Sequence, residues 1–86
     1  MARLYKCSGE EREVSPESGD FFSLSELQGF VDGYIEVVPL GDGKILVCDE
    51  EGKMKGKPVN SVASAKTGGV HLIVGDALIC DRSQLD

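Results

Sequence analysis

YIEVVPLGDGKILVCDEEG, residues 34–52, decides how this chain folds, because the GDGK at 41–44 has two readings. A glycine-rich run ending in lysine can wrap backbone amides around a phosphate. An aspartate between two glycines can equally supply the positive φ angles of a tight hairpin. The phosphate loop needs GxxxxGK followed by Ser or Thr at the mouth of a helix. Here Lys44 is followed by Ile45 and opens an apolar run. The tetrad therefore reads as a turn joining two strands, YIEVVPL (34–40) and KILVCD (44–49).

In the first strand Tyr34, Val38 and Leu40 share a face with Glu36, while Ile35 and Val37 point the other way. Two apolar faces predict a central strand covered on both sides, or one inside a small closed barrel. Glu36 is costly to bury in such a strand. It must reach solvent, find a donor such as Lys44, Gln28 or Asn60, or contact a ligand at the mouth of a pocket.

Upstream, FFSLSELQGFVDG carries a helix start: Ser23 with Glu26 three residues on is a capping box. Leu24, Leu27 and Val31 recur at helical spacing with Phe30 alongside. Gly33 is placed to end the helix with a positive φ. ARLYKC (2–7) reads as a first strand, and residues 8–20, charged and holding Pro16, as a mobile loop or a marginal edge strand around Arg12 to Val14. Downstream of the hairpin, 50–58 is a charged turn. VNSVASAK (59–66) is a second helix capped by Asn60, and VHLIV (70–74) and ALICD (77–81) read as strands parted by Gly75 and Asp76.

These elements predict an α+β fold: a predominantly antiparallel sheet of four or five strands with two short helices. A ferredoxin-like wrap and a small partly open barrel both suit the order. At 86 residues the chain is a single domain over 1–86, and its 41% hydrophobic, 28% charged composition is that of a globular protein. Aromatics are few, so Phe21, Phe22, Phe30 and Tyr34 are expected as the large pieces of a core built from Val, Leu and Ile.

A net charge of -6 and a pI near 4.6 argue against a phosphate-backbone tracker, so no nucleic-acid partner is expected. No apolar run reaches the ~18 residues of a membrane span, and MARLYKCSGEE lacks a signal-peptide core. A cytoplasmic protein with no membrane partner is the expectation. Cys7, Cys48 and Cys80 are too widely spaced for a zinc site and read as buried, reduced thiols.

Asp49, Glu50 and Glu51 before Gly52 faintly resemble a calcium loop, but Lys53, Met54 and Lys55 stand where further oxygen ligands belong. A solvated turn whose carboxylates face Lys53, Lys55 and Lys57 is the better reading. His71, the single histidine, has no identifiable acid and nucleophile to work with. The candidate ligand contacts are thus Gln28, Tyr34, Glu36, Asp49, Glu50 and Asn60, with no catalytic residue, metal site or cofactor assigned.

The succession SELQGFVDGYIEVVPLGDGKILVCDEEGKMKGKPVNSVAS, followed by IVGDALIC, resembles the DUF3846 family over about residues 24–81. Leu27, Gln28, Gly33 to Glu36, Glu50 to Gly52, Asn60, Gly75 and Asp76 carry the likeness. Asp32 departs from it mildly, standing where a smaller residue is expected. The resemblance implies an accessory protein of a phage, prophage or mobile element, and brings no catalytic residues with it. The expected function is a non-catalytic binding module for a host protein or a small metabolite. The rivals are a small metal-dependent hydrolase using Glu36, Asp49, Glu50 and Asn60, and a purely structural subunit. A homodimer is expected if an apolar sheet face is left uncovered.

Overall fold

The computed structural model describes residues 2–17 and 19–85. It runs β1 (Ala2–Tyr5), β2 (Glu11–Val14), α1 (Leu24–Val31), β3 (Ile35–Gly41), β4 (Lys44–Asp49), α2 (Ser61–Lys66), β5 (Ala77–Asp81) and a closing 3-10 turn (Arg82–Gln84). The central tetrad is a hairpin. Gly41 pairs with Lys44, leaving Asp42 and Gly43 as a two-residue connection with φ of 54° and 75°. Two positive φ angles in succession are those of a type I′ turn, whose twist matches that of the flanking strands. A register shift between Pro39 and Gly41 adds a local bulge.

The sheet has five strands in the order β2-β1-β5-β4-β3, every neighbouring pair antiparallel. It is open, so the barrel does not form. Side-chain alternation splits the core in two. Ala2, Leu4, Ile45, Val47, Leu78 and Cys80 face α1, packing on Phe22, Leu27 and Val31. Val38, Leu46, Cys48 and Ala77 face the other way, against Ala63 of α2 and Ile73. The expected α+β class stands, and within it each face receives one helix, where a ferredoxin-like wrap would place both on one.

Four details correct the sequence reading. First, β3 is an edge strand, not a central one covered on both sides: only Val38 is buried, Ile35 and Leu40 are half-buried and Val37 is exposed. Pro39, which has no N–H to give a ladder, fits that edge. Second, Phe21 and Tyr34 are 53% and 66% exposed and Leu24 58%, so of the four expected aromatics the core keeps Phe22 and the half-buried Phe30, whose rings meet edge to face at 5.9 Å between centroids, and it gains the buried Tyr5. Third, α1 ends on Asp32, left-handed with φ 57°, and not on Gly33. Fourth, 70–74 is not a strand. Ser64 Oγ accepts from the Ile73 N–H at 2.8 Å, the Asn60 N–H donates to the Ile73 carbonyl at 2.8 Å, and Val74 makes one isolated bridge to Val59. The backbone of this segment is satisfied by α2 instead of by the sheet.

The capping box is present in full. Ser23 Oγ accepts from the Glu26 N–H at 3.1 Å and Glu26 Oε1 accepts from the Ser23 N–H at 2.9 Å. Glu26 Oε2 also accepts from the Glu17 N–H at 2.8 Å, and these backbone donors hold its carboxyl below the ordinary value. Of the two readings of 8–20, the edge strand forms at Glu11–Val14; Ser18 lies outside the described residues. Cys48 and Cys80 are buried free thiols on opposite faces of the sheet, while Cys7 lies beyond β1 and is only half-buried.

Candidate functional site

A six-residue helix is about 9 Å long, too short to roof a five-stranded sheet. α2 covers Ala77, Leu46 and Cys48 and leaves the rest of its face open. That opening is a groove of about 370 Å³, floored by Tyr5, Leu40 and Ile79 and bounded by Arg3, Lys66 and, at the hairpin end, Asp42 and Lys44. The alternation of β1 puts Arg3 and Tyr5 on this face, and their register opposite Ile79 and Ala77 of β5 sets them side by side.

Three cations stand around the groove. Lys66, the last residue of α2, holds its Nζ 5.6 Å from the centroid of the Tyr5 ring, a cation–π distance. Among the described residues Arg3 makes one ion-pair contact, a long one to Glu11 at 3.9 Å between Nη1 and Oε1, with both side chains exposed. Lys44 Nζ lies 2.8 Å from Asp81 Oδ1, a bond that raises the lysine pKa and lowers that of the aspartate to about 2. Glu13 and Asp42 add two carboxylates to the lining.

The six residues chosen from sequence lie elsewhere. Glu36, Asp49 and Glu50 meet at a second hollow of about 190 Å³ with Cys48, Lys53 and His71. Glu36 and Glu50 are exposed at it. Glu36 reaches solvent, the first of its three expected outcomes. Beside it, burial pushes the Cys48 thiol up to about 11, with the Glu36 charge adding to the rise.

Asp49 does different work. Its buried carboxylate accepts from Lys57 at 2.7 Å, Lys55 at 2.9 Å and the Glu51 N–H at 2.9 Å. Burial alone would raise its pKa; the two ammonium groups and the amide outweigh that and hold the carboxyl at about 2. The expected pairing with Lys55 and Lys57 forms and residues 53–56 are exposed, but the carboxylate that makes the pairing is enclosed, not solvated. Among the described residues no three His, Cys, Asp or Glu side chains are placed to share a metal ion.

Asn60 is consumed by the fold. Its Oδ1 accepts from the Ala63 N–H at 3.1 Å as the cap of α2, and its Nδ2 donates to the carbonyls of Tyr5 at 2.9 Å and Gly75 at 3.0 Å. Gln28 is half-buried on α1, its carbonyl accepting from the Asp32 N–H, and Tyr34 is exposed before β3. Sequence reasoning missed Arg3, Tyr5, Lys66 and Ile79. The alternation in ARLYK did place Arg3 and Tyr5 together; that β1 would lie against β5, and so bring Lys66 over Tyr5, was carried by no local signal.

No described helix is long and apolar enough to cross a membrane. The family model described as a domain of unknown function, DUF3846, matches residues 1–85, so the likeness extends through β1 and β2, which the sequence reading had placed outside it. No curated protein and no solved structure matches.

Proposed function

Since the chain belongs to the DUF3846 family over essentially its whole length, we propose that it is a non-catalytic binding module whose ligand, a small metabolite, lies in the groove beside α2. The setting we propose is the cytoplasm of a bacterium, where the protein serves as an accessory of a phage, prophage or mobile element. The observation that carries the reading is the uncovered part of the sheet face: an apolar floor with a few convergent charged groups is what a small-molecule site needs. The groove's polar groups favour holding charge over moving protons. Lys44 is kept protonated by Asp81, and Lys66 rests on an aromatic ring.

The test is an amide-resolved NMR titration of the labelled protein with pooled cytoplasmic metabolites, alongside a pull-down from host lysate. Saturable shifts confined to Arg3, Tyr5, Lys66 and Ile79 are expected. Silence from every pool with repeated capture of one host protein would transfer the binding role to a protein partner. Silence in both would overturn the proposal.

A further inference from the structure

We propose that the groove selects a small organic monoanion, a carboxylate on a flat apolar body. This rests on reading the groove as a small-molecule site and names what enters it. The argument begins with charge. The chain as a whole carries -6, a field that repels anions, yet Arg3, Lys44 and Lys66 gather at one opening. Lys44 is already engaged by Asp81, and Glu13 and Asp42 also line the opening, so the cations left to a ligand are Arg3 and Lys66.

Two cations set among carboxylates can clasp one carboxylate, while the neighbouring Glu13 and Asp42 repel a polyanion. Lys66 sharpens the point. A lysine at the last turn of a helix is expected from the helix dipole, but its lean over Tyr5 is not. Among the described residues its ammonium has an aromatic face and no carboxylate within ion-pair distance. Among the described residues Arg3 is held only by the long contact to Glu11, leaving its planar fork of donors available to a carboxylate in the two-pronged geometry that lysine cannot offer.

Shape supplies the second half. The floor is sheet surface whose apolar atoms come from Leu40, Ile79 and the small exposed part of Tyr5. A planar apolar body can lie on it while its carboxylate reaches the cations at the rim.

The experiment uses three probes sharing one skeleton: indole-3-acetate, indole-3-acetamide and tryptamine, titrated into the full chain by NMR. The acetate should shift Arg3, Tyr5 and Lys66 saturably and bind about tenfold or more tightly than the neutral amide, with tryptamine weakest. Lys66→Met should erase the preference for the acetate without changing the amide, and Lys66→Arg should restore it. Lys66 is exposed, so these variants should fold, and an unchanged melting midpoint checks that they do. Equal affinity for all three probes, or a preference that survives both Lys66→Met and Arg3→Gln, would overturn the charge assignment while leaving the groove a ligand site. No shift at the groove from any probe would overturn the inference, and the metabolite pools then decide the broader reading separately.

Discussion

Lys57 Nζ lies 2.7 Å from the buried Asp49 Oδ2 and, from the same ammonium, 2.8 Å from the carbonyl of Val31 and 3.0 Å from that of Asp32. One side chain thus ties the end of β4 to the last carbonyls of α1, where a helix leaves acceptors unsatisfied and favours positive charge. Lys55 repeats the arrangement, reaching Asp49 Oδ2 at 2.9 Å and the Asp32 carbonyl at 3.2 Å. The charged turn that follows β4 is folded back as a clamp on the helix.

Replacing Asp49 by Asn should cost about 3–5 kcal/mol, because two lysine ammonium groups would then converge on an uncharged amide. The pH dependence follows in sign. The folded pKa of about 2 lies below the ordinary 3.8, so the carboxylate stabilises the fold above about pH 4, and that contribution is lost as pH falls toward 2. Urea unfolding across this range should show a steeper loss for the parent chain than for Asp49→Asn.

Gly33 and Gly29 should answer an alanine substitution with opposite signs. A Cβ on Gly33 would stand 2.5 Å from Asp49 Oδ1, into a carboxylate that two lysines hold in place. Gly33→Ala is expected to destabilise by about 1–3 kcal/mol through overpacking. Gly29 lies inside α1, and a methyl group there would meet nothing within 4 Å, so Gly29→Ala should stabilise by about 0.5–1 kcal/mol. Thermal midpoints of the two variants test the pair together.

Asn60→Ala removes a cap and strands two buried carbonyls, for an expected loss of about 2–4 kcal/mol. Asn60→Asp is the sharper measurement. Asp caps helices about as well as Asn, but here its carboxylate would face the carbonyl oxygens of Tyr5 and Gly75. Denaturant midpoints should place Asn60→Asp no higher than Asn60→Ala.

The hairpin gives a fourth test. Gly43 has φ 75°, so Gly43→Ala should cost about 1–2 kcal/mol from the left-handed backbone alone. Asp42→Asn should be near neutral, since asparagine adopts the left-handed region as readily. Chemical denaturation midpoints of both variants check the pair.

What could be read from the sequence was local in origin. Ser23 with Glu26, the Asp42–Gly43 turn and the Asn60 cap are each set by residues within three positions, and all three form as expected. What could not be read depends on who sits next to whom. Glu36 looked enclosed because its neighbours are apolar, but β3 lies at the edge of the sheet and leaves the carboxylate exposed. Asp49 looked solvated because Glu50, Glu51 and three lysines follow it, yet alternation along β4 turns it inward while Lys55 and Lys57 fold over it. The groove is assembled by β1 pairing with β5 across more than seventy residues of chain, and no stretch of sequence contains both halves.

Cys48 and Cys80, one under each helical layer, form a pair of native probes that require no engineering. Both are buried, Cys80 completely and Cys48 at the base of the second hollow, and burial raises both thiols above their ordinary pKa, so alkylation of either is slow until the protein opens on that side. Mass-resolved alkylation rates, taken residue by residue, would clock the breathing of the α1 layer and the α2 layer separately, with the half-buried Cys7 as the internal fast reference.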